Sequence, residues 1–194
     1  MEPIKKLGLF GGTFNPPHLG HLKLAQSFAD KLGLSEVRII PSYVPPHKQA
    51  IDLASGNDRL EMCRLTFSGD SRFRVSDMEI KRGGKSYTYD TLTAIKKEEP
   101  NTDIYMFVGS DMLNSFDKWY RYEDILKLCT LCACVRSKDD VLSGKFGYIK
   151  IDFEPIDISS TEIRRMIKEG DGAENYLAPE VSNYIRERRL YIEG

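Results

Sequence analysis

The stretch Gly11-Gly12-Thr13-Phe14-Asn15-Pro16-Pro17-His18-Leu19-Gly20-His21 decides the fold of this 194-residue chain. It follows a short apolar run, Leu7-Gly8-Leu9-Phe10. It precedes a helical pattern in which Leu22, Ala25, Phe28, Ala29 and Leu32 share one face and Gly33 supplies the stop. The order is strand, glycine turn, two histidines, helix. A glycine turn at a helix N-terminus attracts phosphate, because its unpaired N–H groups and the helix dipole both favour an anion. His18 and His21 are three apart, so they lie near one face at the amino end if the helix has begun by His18. The remaining histidine, His47, stands in a second proline-bounded loop, Val44-Pro45-Pro46-His47-Lys48. A lone histidine is more often a surface or hydrogen-bonded core residue. An HxGH pair in a proline-flanked loop points to a site.

Outward from this stretch, short apolar runs alternate with amphipathic ones. Leu7–Phe10, Val37–Ile40, Phe73–Val75, Ile104–Val108, Leu131–Val135 and Tyr148–Ile151 read as strands. Helices are expected from Asn57 or Asp58 to Phe67, over Tyr89–Glu98 and Asp124–Leu128, from a cap at Ser160 or Thr161 to Lys168, and from Pro179 to Arg188. Residues 41–56 are too polar and proline-rich for either element. This alternation predicts an α/β chain: a Rossmann-like open parallel sheet with helices on both faces. Ligands of such sheets sit beyond the carboxyl ends of the strands. The informative strings fall there: the glycine turn after the first strand, the VPPHK loop after the second, and Gly109-Ser110-Asp111 after Ile104–Val108. No linker divides the chain, so residues 1–194 are expected as one domain, with the helical part from about 158 to 194 packed on the sheet.

Composition narrows the function classes. The formal charge of −1 gives no global basic field for nucleic acid or membrane, and no apolar run approaches the roughly 18 residues of a span. The N-terminus lacks a secretory pattern, so a cytoplasmic location is expected. Cys129, Cys132 and Cys134 form C-x2-C-x-C, but a zinc site needs a fourth ligand. The segment reads instead as a buried strand whose small thiols pack as hydrophobes.

The turn matches neither the dinucleotide fingerprint nor the P-loop. A second string, Ile158-Ser159-Ser160-Thr161-Glu162-Ile163-Arg164, is at least a helix cap. Its hydroxyls and free N–H groups also suit phosphate oxygens, and Arg164 lies a turn later, within reach of the same anion.

These two strings resemble the nucleotidyltransferase superfamily with the HxGH signature, which moves a nucleoside monophosphate from a triphosphate to a phosphate group. With VPPHK, SYTYDTL and FVGSDMLNSFDKWY, the chain is similar, from Leu7 to about Leu190, to the bacterial nicotinate-nucleotide adenylyltransferases. The resemblance implies the conversion of ATP and nicotinate mononucleotide to deamido-NAD and pyrophosphate, in NAD biosynthesis. It implies that Gly11, Gly12, Thr13 and Phe14 lie along the ATP and the substrate phosphate, and that His18 and His21 meet the triphosphate. Ser160, Thr161 and Arg164 would hold its β- and γ-phosphates, with Ile158 and the backbone after it near the adenine. Gly109 and Asp111 would lie by the ribose, Thr88 and Trp119 would frame the pyridine ring with Tyr120 beside it, and Lys48 would neutralise the reacting phosphates. Asn15 stands where aspartate is common, and Arg136 lacks the Pro–Gly that often follows it. Trp119 also reads as a packing residue and Arg136 as a solvated strand end.

The chemistry suits these groups. A phosphate oxygen is already an anionic nucleophile at pH 7, so transfer needs positioning and fixed positive donors more than a base. Mg²⁺ is expected on the ATP oxygens, with no metal site made of protein ligands alone. Rival readings are another HxGH enzyme, with a pantetheine-phosphate, nicotinamide-mononucleotide or cytidylyl specificity, and a nucleotide sensor on the same fold. The oligomeric state is not legible.

Overall fold

The computed structural model describes residues 5–45, 52–134, 145–154 and 156–192. Six strands are formed by Lys5–Gly12 (β1), Glu36–Pro41 (β2), Phe73–Val75 (β3), Thr102–Val108 (β4), Thr130–Cys134 (β5) and Ile149–Ile151 (β6). They pair in parallel throughout, in the order β3-β2-β1-β4-β5-β6. Strand order reverses between β1 and β4, which opens the crevice where ligands of doubly wound sheets bind. The ladder pairs Phe10 with Phe107, so Gly11–Gly12 and Gly109–Asp111 emerge side by side at its carboxyl edge.

Helices cover both faces, as the alternating pattern predicts. Helices Leu19–Leu32 (α1) and Gly56–Phe67 (α2) meet one face through Ala25, Phe28, Cys63 and Phe67, against Phe10, Ile39, Phe107 and Cys132. Helices Met78–Arg82 (α3), Thr88–Glu98 (α4), Ser110–Asn114 (α5) and Tyr122–Leu128 (α6) follow along the chain. Leu92, Ile95, Leu113 and Ile125 close the other face on Leu7, Leu9, Ile104 and Met106. Gly8 lets α1 approach its strand: a Cβ there would come within 2.8 Å of Leu34 and 2.9 Å of Phe28. Gly33 ends α1 in the left-handed conformation (φ 60°), donating its N–H to Ala29 and Asp30, which only glycine does without strain.

The C-terminal part corrects one expectation. Helices Ser160–Glu169 (α7) and Pro179–Glu187 (α8) share their buried cluster, Ile163, Leu177, Val181, Ile185 and Tyr191, with Met62 of α2 and with no strand residue. Among the described residues they form a layer outside α2 and share no buried cluster with the sheet. The reason lies in α2, which buries Cys63 and Phe67 on its sheet side and Met62 on the other, and so needs cover twice.

Caps also move. Ser55, and neither Asn57 nor Asp58, caps α2 by accepting from Asp58 N. Ser159 caps α7 through Glu162 N, which leaves Ser160 for another task. The short α3 and α5 left no readable period in the sequence. The thiols behave as packed hydrophobes. Cys63, Cys132 and Cys134 are buried, and burial pushes the Cys132 thiol up to about 12. Val135 lies outside the described residues.

Candidate active site

The turn after β1 is held from within. Phe14 adopts φ 48°, a left-handed conformation uncommon for a bulky residue. That backbone drives its ring into the core, 2% exposed, edge-on to Phe10 and Phe67 with centroids at 5.5 and 6.2 Å. The expectation that Phe14 lies along ATP is thus corrected for its side chain: only its backbone can line a ligand. Gly12 accommodates that ring, since a Cβ there would stand 3.0 Å from it.

His18 is the N-cap of α1 and precedes its first residue. It is buried, and its ring lies 3.7 Å from that of His21, centroid to centroid. Gly20 makes room, because a Cβ would meet His18 Nδ1 at 2.9 Å. His18 N donates to His21 Nδ1 at 3.2 Å. An Nδ1 that accepts places the proton of a neutral imidazole on Nε2. Both rings therefore sit at the positive end of a 14-residue helix, with His21 presenting a donor.

The C-terminal string comes to the same place. Ser160 Oγ donates to Pro16 O and Arg164 Nη1 to Asn15 O, each at 2.9 Å. Thr161 Oγ1 lies 3.4 Å from Arg164 Nη2 and is exposed. Ile158 is half-buried against the C-terminal cluster. Imidazoles, hydroxyls and a guanidinium thus converge on residues 15–18.

Asn15, expected on the substrate, is instead a fastener. Its side chain is buried; Oδ1 accepts from Tyr191 Oη at 2.7 Å and from Ala54 N at 3.1 Å, and Nδ2 donates to Asp52 O at 2.9 Å. The amide is what this site requires: a second carboxylate oxygen would face the Asp52 carbonyl.

On the other side of the turn opens a cavity of about 240 Å³. Gly11, Gly12 and Thr13 form one wall and Thr88, Trp119 and Tyr120 another. Thr88 is the first residue of α4. Trp119 is a packing residue, its ring 5.0 Å from that of Phe116, and it also lines the cavity. Tyr120 is half-exposed and leans on Tyr87 at 4.8 Å. Gly109 caps α5 and lets Asp111 fold back, since a Cβ there would fall 2.8 Å from Asp111 Oδ1. Lys48 and Arg136 lie outside the described residues.

Two charged residues at the site were missed by sequence reasoning. Glu79 lines the cavity; burial pushes its carboxyl up, and hydrogen bonds from Thr91 and Ser86 partly offset this. Arg59, 1% exposed, stands behind the turn. Both sit in ordinary-looking charged helix sequence and leave no motif. Among the described residues no cluster of three His, Cys, Asp or Glu side chains could hold a metal, and no helix is long and apolar enough to cross a membrane.

Comparison with known proteins finds relatives in sequence and in fold. The model of the cytidylyltransferase-like family matches residues 9–166. A relative from Lactiplantibacillus plantarum, named "probable nicotinate-nucleotide adenylyltransferase", is 42% identical over 193 residues, covering 99% of this chain and 90% of its own. One of the same name from Listeria welshimeri is 42% identical over 186 residues, covering 96% and 97%. In fold, the chain is similar to the nicotinic acid mononucleotide adenylyltransferase of Plasmodium falciparum complexed with NaAD. The TM-score is 0.81, at 21% identity over 96% of this chain and 97% of that one.

Proposed function

The chain belongs to the cytidylyltransferase-like family, among the nicotinate-nucleotide adenylyltransferases, and from that premise we propose how its site works. The reaction is the transfer of AMP from ATP to nicotinate mononucleotide. The mononucleotide's phosphate oxygen attacks the α-phosphorus, the bond to the β-phosphate bridging oxygen breaks, and pyrophosphate leaves with that electron pair. The products are deamido-NAD and pyrophosphate.

One observation carries the assignment of roles. The turn meets α7 on its Asn15–Pro16 side, through Arg164 and Ser160, and borders the Thr88–Trp119 cavity on its Gly12–Thr13 side. A polyphosphate on the first side and a pyridine nucleotide on the second meet at the glycines. His18, His21 Nε2–H and the α1 amino end stabilise charge on the leaving pyrophosphate; Arg164, Ser160 and Thr161 fix its outer phosphates. Thr88 heads α4, and its helix N-terminus suits the ring carboxylate over an amide. Trp119 offers the ring a stacking face. Lys48 and Arg136 keep their expected roles on the reacting phosphates and the acceptor. Mg²⁺ would enter with ATP and would supply charge neutralisation at its phosphates. The place of action is the cytoplasm.

The test is pyrophosphate release from ATP with nicotinate mononucleotide, nicotinamide mononucleotide, phosphopantetheine or no acceptor. Turnover is expected with the first, and less with the second. Greater turnover with phosphopantetheine would overturn the acceptor assignment, and ATP binding without turnover on any acceptor would make the chain a sensor.

A further inference from the structure

We propose that Arg59, in α2, is a positioning residue for this transfer: a buried cation that pins the Gly12–Asn15 turn to the segment after β2 and adds positive potential behind the polyphosphate. The proposal rests on the adenylyltransferase reading above.

The guanidinium is fully buried and spends its donors on four main-chain oxygens from three separate segments. Nη1 donates to Thr13 O at 2.9 Å and to Ser42 O at 2.5 Å, Nη2 to Tyr43 O at 3.0 Å, and Nε to Ala54 O at 3.0 Å. Among the described residues no carboxylate lies within ion-pair distance of it. Asp58, next in sequence, is turned to Ser55, Tyr184 and Arg188. A buried charge without an acid is costly, and here only carbonyl dipoles answer it. Burial pulls its pKa down, yet an arginine stays protonated inside proteins.

Two consequences reach the site. The first is geometric. Thr13 and Ser42 both line the acceptor cavity, and Ser42 N also donates to Gly12 O at 2.9 Å. Tyr43 N donates to Ser86 Oγ at 2.9 Å, so the same post braces the wall that leads to Thr88. The second is electrostatic. A charged donor on Thr13 O polarises the Thr13–Phe14 peptide and strengthens its N–H towards an anion. The charge itself acts through protein and not through water, where it would be screened. Neither consequence needs Arg59 to touch a substrate.

Arg59→Lys and Arg59→Gln separate charge from bracing. The readouts are the thermal midpoint, calorimetric ATP affinity at several salt concentrations, and kcat and KM for both substrates. Both variants should lose midpoint and kcat, since neither side chain spans four carbonyls. Arg59→Lys should keep ATP affinity within about threefold, whereas Arg59→Gln should lose about tenfold, as a unit charge roughly 10 Å from an anion implies at an effective dielectric of about 20. Because the charge acts through protein, the deficit of the Gln variant should persist as salt is added.

Wild-type ATP affinity in folded Arg59→Gln would overturn the electrostatic claim, and wild-type kcat in both variants would overturn the positioning claim. Should Arg59→Gln not fold, Arg59→Lys decides: ATP affinity kept while kcat falls sustains the proposal, and ATP affinity lost overturns it. A wild-type protein that bound no ATP would instead sink the adenylyltransferase reading, before any variant is made.

Discussion

Arg164 Nη1 donates to the main-chain oxygen of Asn15 at 2.9 Å, across 149 positions of sequence. The bond fixes the first turns of α7 against the loop that closes β1. Its partner Nε is buried with no hydrogen-bond acceptor among the described residues. One arginine thus has one arm committed to docking and another nitrogen still to be satisfied beside a site that needs cationic donors.

Arg164→Lys keeps the charge and loses the fork. A lysine can reach Asn15 O or an anion, but not both at once. The expected result is a fall of ~10²-fold in kcat/KM for ATP and a loss of about 1–2 kcal/mol in urea unfolding. Unchanged kinetics beside the stability loss would reduce Arg164 to a docking residue.

The two nitrogens of His21 have different tasks, and substitution can divide them. Nδ1 accepts from His18 N and completes the start of α1. Asparagine keeps an acceptor near Nδ1 and has nothing at Nε2. His21→Ala should lose about 1 kcal/mol from the lost cap, together with ~10²–10³ in turnover. His21→Asn should recover most of the stability and none of the turnover. His18→Ala should fall in the same kinetic range with the fold intact. Steady-state rates set beside denaturant midpoints decide these cases, and activity recovered with the cap would refute the donor role of Nε2.

Much of this was legible in the sequence, for a physical reason. Buried parallel strands are short apolar runs, and Leu7–Phe10 and Ile104–Val108 stand out between polar turns. Gly33 marked the end of α1 because a φ of 60° suits few residues other than glycine. What stayed hidden was contact across the chain. Arg59 looks like any helix arginine until Thr13, Ser42, Tyr43 and Ala54 are folded around it. Asn15 read as a substrate contact because it stands inside the string that read as the ligand site. Its real partners, Tyr191 and residues 52–54, are remote. The outer layer of α7 and α8 was misplaced because an apolar stripe shows that a helix is covered and not by what.

Asp58 ties α2 to α8 and makes stability depend on pH. Burial works to raise its pKa, but hydrogen bonds from Ser55 and Tyr184 and the charge of Arg188 outweigh that and hold the carboxyl below its ordinary value. A depressed folded pKa stabilises the protein above the unfolded value, about 3.9. That contribution is lost as the pH falls below it. Tyr184→Phe should weaken the depression. Its stability deficit against wild type should be full at neutral pH and should shrink as the pH drops below about 4. Urea titrations of both proteins between neutral and acid pH would show this, and a deficit independent of pH would assign Tyr184 to packing alone.

Gly11 separates folding from binding most cleanly. It lines the cavity wall at the end of β1, its φ lies outside the left-handed region, and a Cβ built there meets nothing within 4 Å. No protein contact therefore requires glycine at this position. Gly11→Ala should fold at least as well as wild type, with a gain of about 0.4–1 kcal/mol from a less flexible unfolded chain. The new methyl projects into open space beside the meeting point of the two substrates, where close backbone approach is the use of glycine. KM for the acceptor or for ATP should rise about tenfold or more, as expected when a close contact worth roughly 1.4 kcal/mol is blocked. A Gly11→Ala variant with both KM values untouched would mean that the reacting phosphates pass elsewhere, and the placement of both substrates along the Gly11–Thr13 wall would have to be abandoned.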